Sequence, residues 1–174
     1  GAEENTLVVF TSDHGDMMGS HQLMEKGVMY EEAVRIPLII KDPRMDRPSG
    51  RIENRVSQID IVPTILDLMG TSPPENLQGK SLAQVMEGTQ QQAQDIFIQS
   101  NPKSSPSIRT IISGEGWKLS LSGDGRSQLF DLNQDPYETT NLYNHSDYGG
   151  IIQDLSAKTV DGQTLYGDTI LHFK

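Results

Sequence analysis

The chain has 174 residues, enough for one sizeable core or a core with a small appendage. Its 14 Lys and Arg against 24 Asp and Glu give a net charge of -10 with no basic cluster, which argues against nucleic acid as a partner and requires an anionic substrate to be captured locally, by a metal or a few placed cations. Cysteine is absent, which excludes a disulfide framework and a thiol nucleophile, and no apolar run approaches the roughly 20 residues that span a bilayer.

In chain order, Leu7 to Thr11 is a continuous apolar run with two valines, which predicts a strand buried on both faces. Asp13 and His14 follow directly at its end. Met29 to Val34 reads as a helical turn or two, and Arg35 to Lys41 as a second buried strand entered through Pro37. Asp42 to Arg51 is a turn-rich polar connector. Arg55 to Ile59 reads as a third strand. Asp60 is the expected N-cap of a helix over Ile61 to Met69, with Pro63 in its first turn and Gly70 as its C-cap. This strand and helix order predicts part of a mostly parallel α/β sheet flanked by helices, assigned to residues 1–94.

Ser81 to Met86 is a short helix ended by Gly88, and the glutamine run from Gln90 is solvated surface. From Asp95 the pattern changes to strands joined by tight turns, at Ile96 to Ile98, Arg109 to Ile112, Trp117 to Leu121 and Gln128 to Leu132. The turn Ser122-Gly123-Asp124-Gly125 has hairpin length. Residues 95–174 are therefore predicted to form a small antiparallel-sheet subdomain, followed by two weak helical stretches at Ile151 to Lys158 and Asp168 to Phe173.

Asp13 offers a hard oxygen and His14 an imidazole nitrogen, and adjacent residues leaving a strand can reach one ion where the backbone turns. Against this stands the simpler reading of Asp13 as a turn cap and His14 as an ordinary loop histidine. The wider context favours the metal. Thr11-Ser12-Asp13-His14-Gly15-Asp16-Met17-Met18-Gly19-Ser20-His21, then Lys26 to Ile40, resembles the type I sulfatases of the alkaline phosphatase superfamily. Ser57 to Asp67, the Gly79-Lys80-Ser81-Leu82 turn, Gly116-Trp117-Lys118-Leu119 and the Asp135-Pro136-Tyr137-Glu138-Thr139-Thr140-Asn141-Leu142 signature extend the similarity in order, over about Asn5 to Leu142.

The resemblance implies that Asp13 and His14 are two ligands of a divalent cation, usually calcium, although many relatives carry Asn at the place of His14. Mixed nitrogen and oxygen ligation leaves manganese or zinc open. It implies that Lys26 contacts a sulfate oxygen, the alternative being a surface pair with Glu25 or Glu31. His21 either faces the substrate as a general acid or hydrogen-bond donor, or packs under the loop. Arg35 and Asp60 are expected to anchor elements, and Met17, Met18, Met24 and Met29 to fill core. Asp131, Asp135, Glu138 and Asn141 are expected to cap turns, and Trp117 to anchor the hairpin against the α/β layer.

The family's nucleophile is a formylglycine made within a Cys/Ser-x-Pro-x-Arg motif. Ser104-Ser105-Pro106-Ser107-Ile108-Arg109 misses that spacing by one residue and lies downstream of the pair, so it is rejected. Calcium takes about six to eight oxygens. The chain is thus read as the carboxyl-terminal part of a hydrolase of sulfated small molecules or carbohydrates, inactive alone. The alternatives are a phosphonate monoester hydrolase or phosphodiesterase of the same superfamily, and a noncatalytic piece that self-associates through an uncovered sheet.

Overall fold

A computed structural model describes residues 2–45, 50–89, 94–100 and 106–170. The middle of the polar connector, most of the glutamine run, Ser104 with Ser105, and the end of the second weak helical stretch lie outside the described residues. The chain divides into two compact units, Gly1–Gly15 with Arg35–Gln92, and Asp16–Val34 with Ala93–Lys174.

In the first unit β1 (Val8–Thr11) pairs antiparallel with β2 (Leu38–Lys41), Val8 opposite Lys41 and Thr11 opposite Leu38. This corrects the expected parallel sheet, which is not part of the chain: among the described residues every strand pairing is antiparallel. A parallel return needs a crossover, usually a helix of several turns. The connection from β1 to β2 holds only α1 (Glu31–Val34) and a 3-10 turn at Ser20–Gln22. Nor are these strands buried on both faces, since Val8, Phe10 and Ile39 are 49%, 60% and 62% exposed.

The third predicted strand is also absent. Ser57 and Asp60 form a capping box around the 3-10 turn Gln58–Asp60, which draws the chain out of extended geometry and into α2 (Ile61–Leu68). The Asp60 carboxylate does not cap the helix it precedes. One oxygen accepts from Ser57 N–H at 3.1 Å and the other from Lys80 N–H at 2.9 Å, so this buried side chain ties the turn before α2 to the chain before α3 (Ala83–Glu87). It is an anchor, as expected. Thr64, fully buried, donates to Asp60 O and accepts from Leu82 N–H at 2.9 Å. Gly70 and Gly88 close their helices in the left-handed conformation, with φ of 72° and 74°.

The Gly79-Lys80-Ser81-Leu82 turn has a steric cause. A Cβ at Gly79 would lie 2.0 Å from the carbonyl oxygen of Ile59 and 2.9 Å from the nitrogen of Asp60, both backbone atoms. Gly79→Ala is therefore expected to destabilise the protein by about 1–3 kcal/mol or more, measured by urea unfolding. An unchanged midpoint would refute the close approach.

The second unit is built on a four-stranded antiparallel sheet in the order β3 (Ile96–Ser100), β4 (Ile108–Ile112), β5 (Trp117–Ser122), β6 (Gln128–Asp131). α4 (Gly149–Leu165) covers one face, with Leu155 packed among Ile111, Leu119, Leu121 and Leu129. Tyr30 lies on the other, with Ile96, Ile98, Ile112, Phe130 and Leu132. Cover on both sides explains why β4 and β5 are buried almost throughout. Trp117 packs at 5.7 Å from Tyr148, just ahead of α4. Arg109, fully buried, forks onto Asp168 beyond α4, with one bond at 2.8 Å, and that pairing first and foremost holds the Asp168 carboxyl far below its usual range. Asp168 begins no helix up to Ile170. Met17 and Met29 are core, whereas Met18 and Met24 are 79% and 69% exposed, contrary to expectation. Both exposed methionines sit on a surface loop whose path is set by its turns.

Candidate functional site

The site residues read from sequence fall in the two units: Asp13 and His14 in the first, His21 and Lys26 in the second. Asp13 and His14 leave the end of β1. Ser12 Oγ donates to His14 O at 2.6 Å and His14 N–H donates to an Asp13 carboxylate oxygen at 3.0 Å, which curls the backbone back on itself. Gln58 Nε2 reaches the carbonyls of Ser12 and Asp13 at 3.2 and 3.3 Å, bracing the tip from the turn before α2.

His14 Nδ1 lies 2.6 Å from Gly15 O. A carbonyl oxygen only accepts, so Nδ1 donates in this pair and Nε2 is the nitrogen that faces Asp13. That Nε2 is 3.4 Å from the second Asp13 oxygen, so a nitrogen and a hard oxygen donor share one approach. The carboxylate is 82% exposed and the imidazole 37%. This donor chemistry fits a divalent cation, and the Nδ1 bond is the kind of outer contact that orients a ligating histidine. No cluster of three or more His, Asp or Glu suited to a metal occurs among the described residues, so these two supply only part of a coordination shell.

In the second unit, Met17 N–H bonds to Glu25 O at 2.8 Å and Gly19 N–H to Leu23 O at 2.9 Å, closing a compact loop. Met18, His21, Gln22 and Glu25 all have positive φ, between 48° and 65°. Left-handed backbone at four non-glycine residues persists only where surroundings over-determine it, and such density favours functional loops. Lys26 is exposed, between Glu25 and Gly27. His21 is 18% exposed in its side chain, stacks on Tyr30 with ring centroids 3.8 Å apart and planes 10° from parallel, and brings Nε2 within 4.0 Å of Glu32.

Sequence reasoning missed what lies beneath this loop. Lys118, without exposed surface at the centre of the sheet, pairs with Glu138 at 2.8 Å and Glu31 at 3.1 Å. The other Glu138 oxygen accepts from Glu31 N–H at 2.6 Å, closing the circuit. Burial pushes the Glu138 carboxyl above its ordinary range despite the pull of Lys118. Glu138 was expected to cap a turn. The other signature residues do so: Asp131 accepts from Asn133 N–H, Asp135 from Thr140 N–H, and Asn141 from Leu129 and Tyr143 N–H. The available signal was a charged residue inside the strand Trp117-Lys118-Leu119, which demands a buried partner.

The fold is shared with sulfatases: a protein of Bacteroides thetaiotaomicron described as a candidate sulfatase superposes with a TM-score of 0.87 at 27% identity, over 96% of this chain and 38% of that one. The chain belongs to the family described as N-sulphoglucosamine sulphohydrolase, C-terminal, which matches residues 19–164. An arylsulfatase of Clostridium perfringens is 36% identical over 151 residues, covering 85% of this chain and 31% of that protein. A protein solved in complex with its substrate D-glucosamine-2-N,6-O-disulfate superposes with a TM-score of 0.82 at 27% identity, over 98% of this chain and 36% of that one. The phosphonate monoester hydrolase of Agrobacterium radiobacter does so with a TM-score of 0.80 at 28% identity, over 94% and 36%. The chain thus spans about a third of the length of the relatives it matches. No helix among the described residues is long and apolar enough to cross a membrane.

Proposed function

We propose that this chain is the carboxyl-terminal part of a sulfuric ester hydrolase acting on a sulfated small molecule or carbohydrate, and that it needs the remainder of the protein for turnover. The observation that carries the reading is the shared approach of His14 Nε2 and the Asp13 carboxylate, 3.4 Å apart, in a chain of the sulfatase family. Asp13 and His14 would hold the divalent cation, calcium by family resemblance with manganese or zinc as alternatives, and the cation would supply charge neutralisation at the sulfuryl oxygens. A formylglycine from outside this chain would supply the nucleophile. Within the chain, the Gly15 carbonyl holds the His14 tautomer, Gln58 braces the strand tip, and Lys26 offers a point cation to an oxyanion. His21 is assigned a substrate-side place as hydrogen-bond donor or general acid, on a loop whose backbone is fixed in advance of binding.

The rival reading keeps the fold and changes the ester, and the likeness to a phosphonate monoester hydrolase favours it specifically. Rates of the full-length protein on paired aryl sulfate and aryl phosphonate substrates separate the two. A higher kcat/KM on the sulfate is expected, and a dominant phosphonate rate would overturn the sulfatase assignment.

A further inference from the structure

The buried charges of the second unit do more than hold a sheet together. Lys118 Nζ is ion-paired with both Glu138 and Glu31, and Glu138 also accepts the backbone N–H of Glu31, so the chain is clamped at the first residue of α1 by side chain and main chain alike. The residue immediately before that clamp is Tyr30. Its hydroxyl accepts from Gln128 Nε2 at 2.8 Å, and its ring packs at 6.1 Å from Phe130. Tyr30 is thereby fixed at its backbone and at the tip of its side chain, and its ring carries His21 in near-parallel stacking at 3.8 Å. His21 itself has φ of 52°, a conformation that an unsupported histidine seldom holds.

We infer that Lys118, Glu138 and Glu31 are positioning residues, a buried strut that fixes Tyr30 as a platform and so sets the orientation of the His21 imidazole. The geometry explains why two carboxylates are spent on one ammonium. Either glutamate alone would partner the lysine, but only the pair ties the sheet to α1 through two different atoms of Glu31. Its bearing on turnover rests on the proposed substrate-side place of His21.

The test uses the full-length protein with Glu138→Gln, which keeps shape and one acceptor and removes the charge, and with the milder Tyr30→Phe, which removes only the hydroxyl clamp. The His21 ring resonances are assigned by their loss in His21→Asn and followed by NMR, where stacking on Tyr30 shifts them upfield. Glu138→Gln is expected to reduce that ring-current shift and to lower kcat on an aryl sulfate by about tenfold to a hundredfold with a smaller change in KM, the scale seen when an outer contact orienting a reactive group is lost. Tyr30→Phe should move both readouts the same way by less. A His21 ring-current shift unchanged in both variants would overturn the strut. A lost shift with unchanged kcat would leave the strut standing and remove His21 from the proposed reaction, so the two failures are told apart.

Discussion

Lys118→Met is expected to lower the free energy of unfolding by about 3–5 kcal/mol, the range for removing one member of a buried ion pair. Lys118 lies in register between Ile112 and Phe130 on neighbouring strands and has no exposed surface. Taking away its ammonium leaves Glu138, buried, and Glu31, one-fifth exposed, as carboxylates aimed at one point with no cation between them. An exposed pair behaves differently. Lys41 with Glu3 is 54% and 81% exposed, and Lys41→Met should change stability by no more than about 1 kcal/mol.

The pH dependence carries a sign. Burial raises the folded-state pKa of Glu138 above its ordinary 4.5, and loss of Lys118 removes the main opposing pull. A carboxyl whose folded pKa is raised favours folding fully below its unfolded value and loses that contribution as pH rises through the folded pKa. The deficit of Lys118→Met should therefore be full at pH 7 and shrink as pH falls toward the ordinary value, because Glu138 can then be neutral. Adding Glu31→Gln and Glu138→Gln to Lys118→Met should recover much of the loss at pH 7. Denaturant unfolding at the two pH values measures each step. A deficit independent of pH would mean that packing rather than charge holds this part of the sheet.

Legibility from sequence followed the range of the interactions involved. Glycine turns at Gly114 to Gly116 and Gly123 to Gly125 punctuate the last three strands of the second unit, so Ile108–Ile112, Trp117–Ser122 and Gln128–Asp131 stand within a residue or so of expectation. α4 is longer than expected because Thr159 and Gln163 continue the buried stripe of Leu155, and polar residues on the core side blur a helical period. The third strand failed for a local reason: a capping box at Ser57 and Asp60 outweighed the apolar residues Val56 and Ile59. The parallel sheet failed because an apolar run announces burial without naming what buries it, and Phe10 and Ile39 look the same in sequence whether covered or bare. The closeness of the Asp13 and His14 side chains could be read directly, since neighbours in sequence at a strand tip are neighbours in space. The link from Lys118 to residues 87 positions before and 20 after it could not, because a buried ion pair leaves no periodic trace.

Lys26→Ala, in the full-length protein, is expected to lower kcat on an aryl sulfate by about a hundredfold to a thousandfold, the effect of removing one donor that meets developing negative charge. An ammonium on a flexible stem acts as a point charge, and its worth rises when the substrate excludes water around it. Lys26 is exposed, so the folded state should hardly notice the change, with unfolding free energy altered by no more than about 0.5 kcal/mol. That separation distinguishes Lys26 from Lys118, whose loss is predicted to act on stability first. Asp13→Asn tests the proposed cation ligand in the first unit. It removes a charged oxygen while leaving an acceptor for His14 N–H, so the strand tip should keep its shape. After chelation, the calcium concentration that restores half of the activity should rise at least about tenfold to a hundredfold over the unaltered protein. Lys26→Ala should leave that concentration unchanged, because Lys26 is assigned to the anion and not to the cation. If Lys26→Ala kept full turnover, the oxyanion would have to be held elsewhere. If Asp13→Asn kept the original calcium requirement, the shared approach of Asp13 and His14 would be no more than a turn fixed by its own hydrogen bonds.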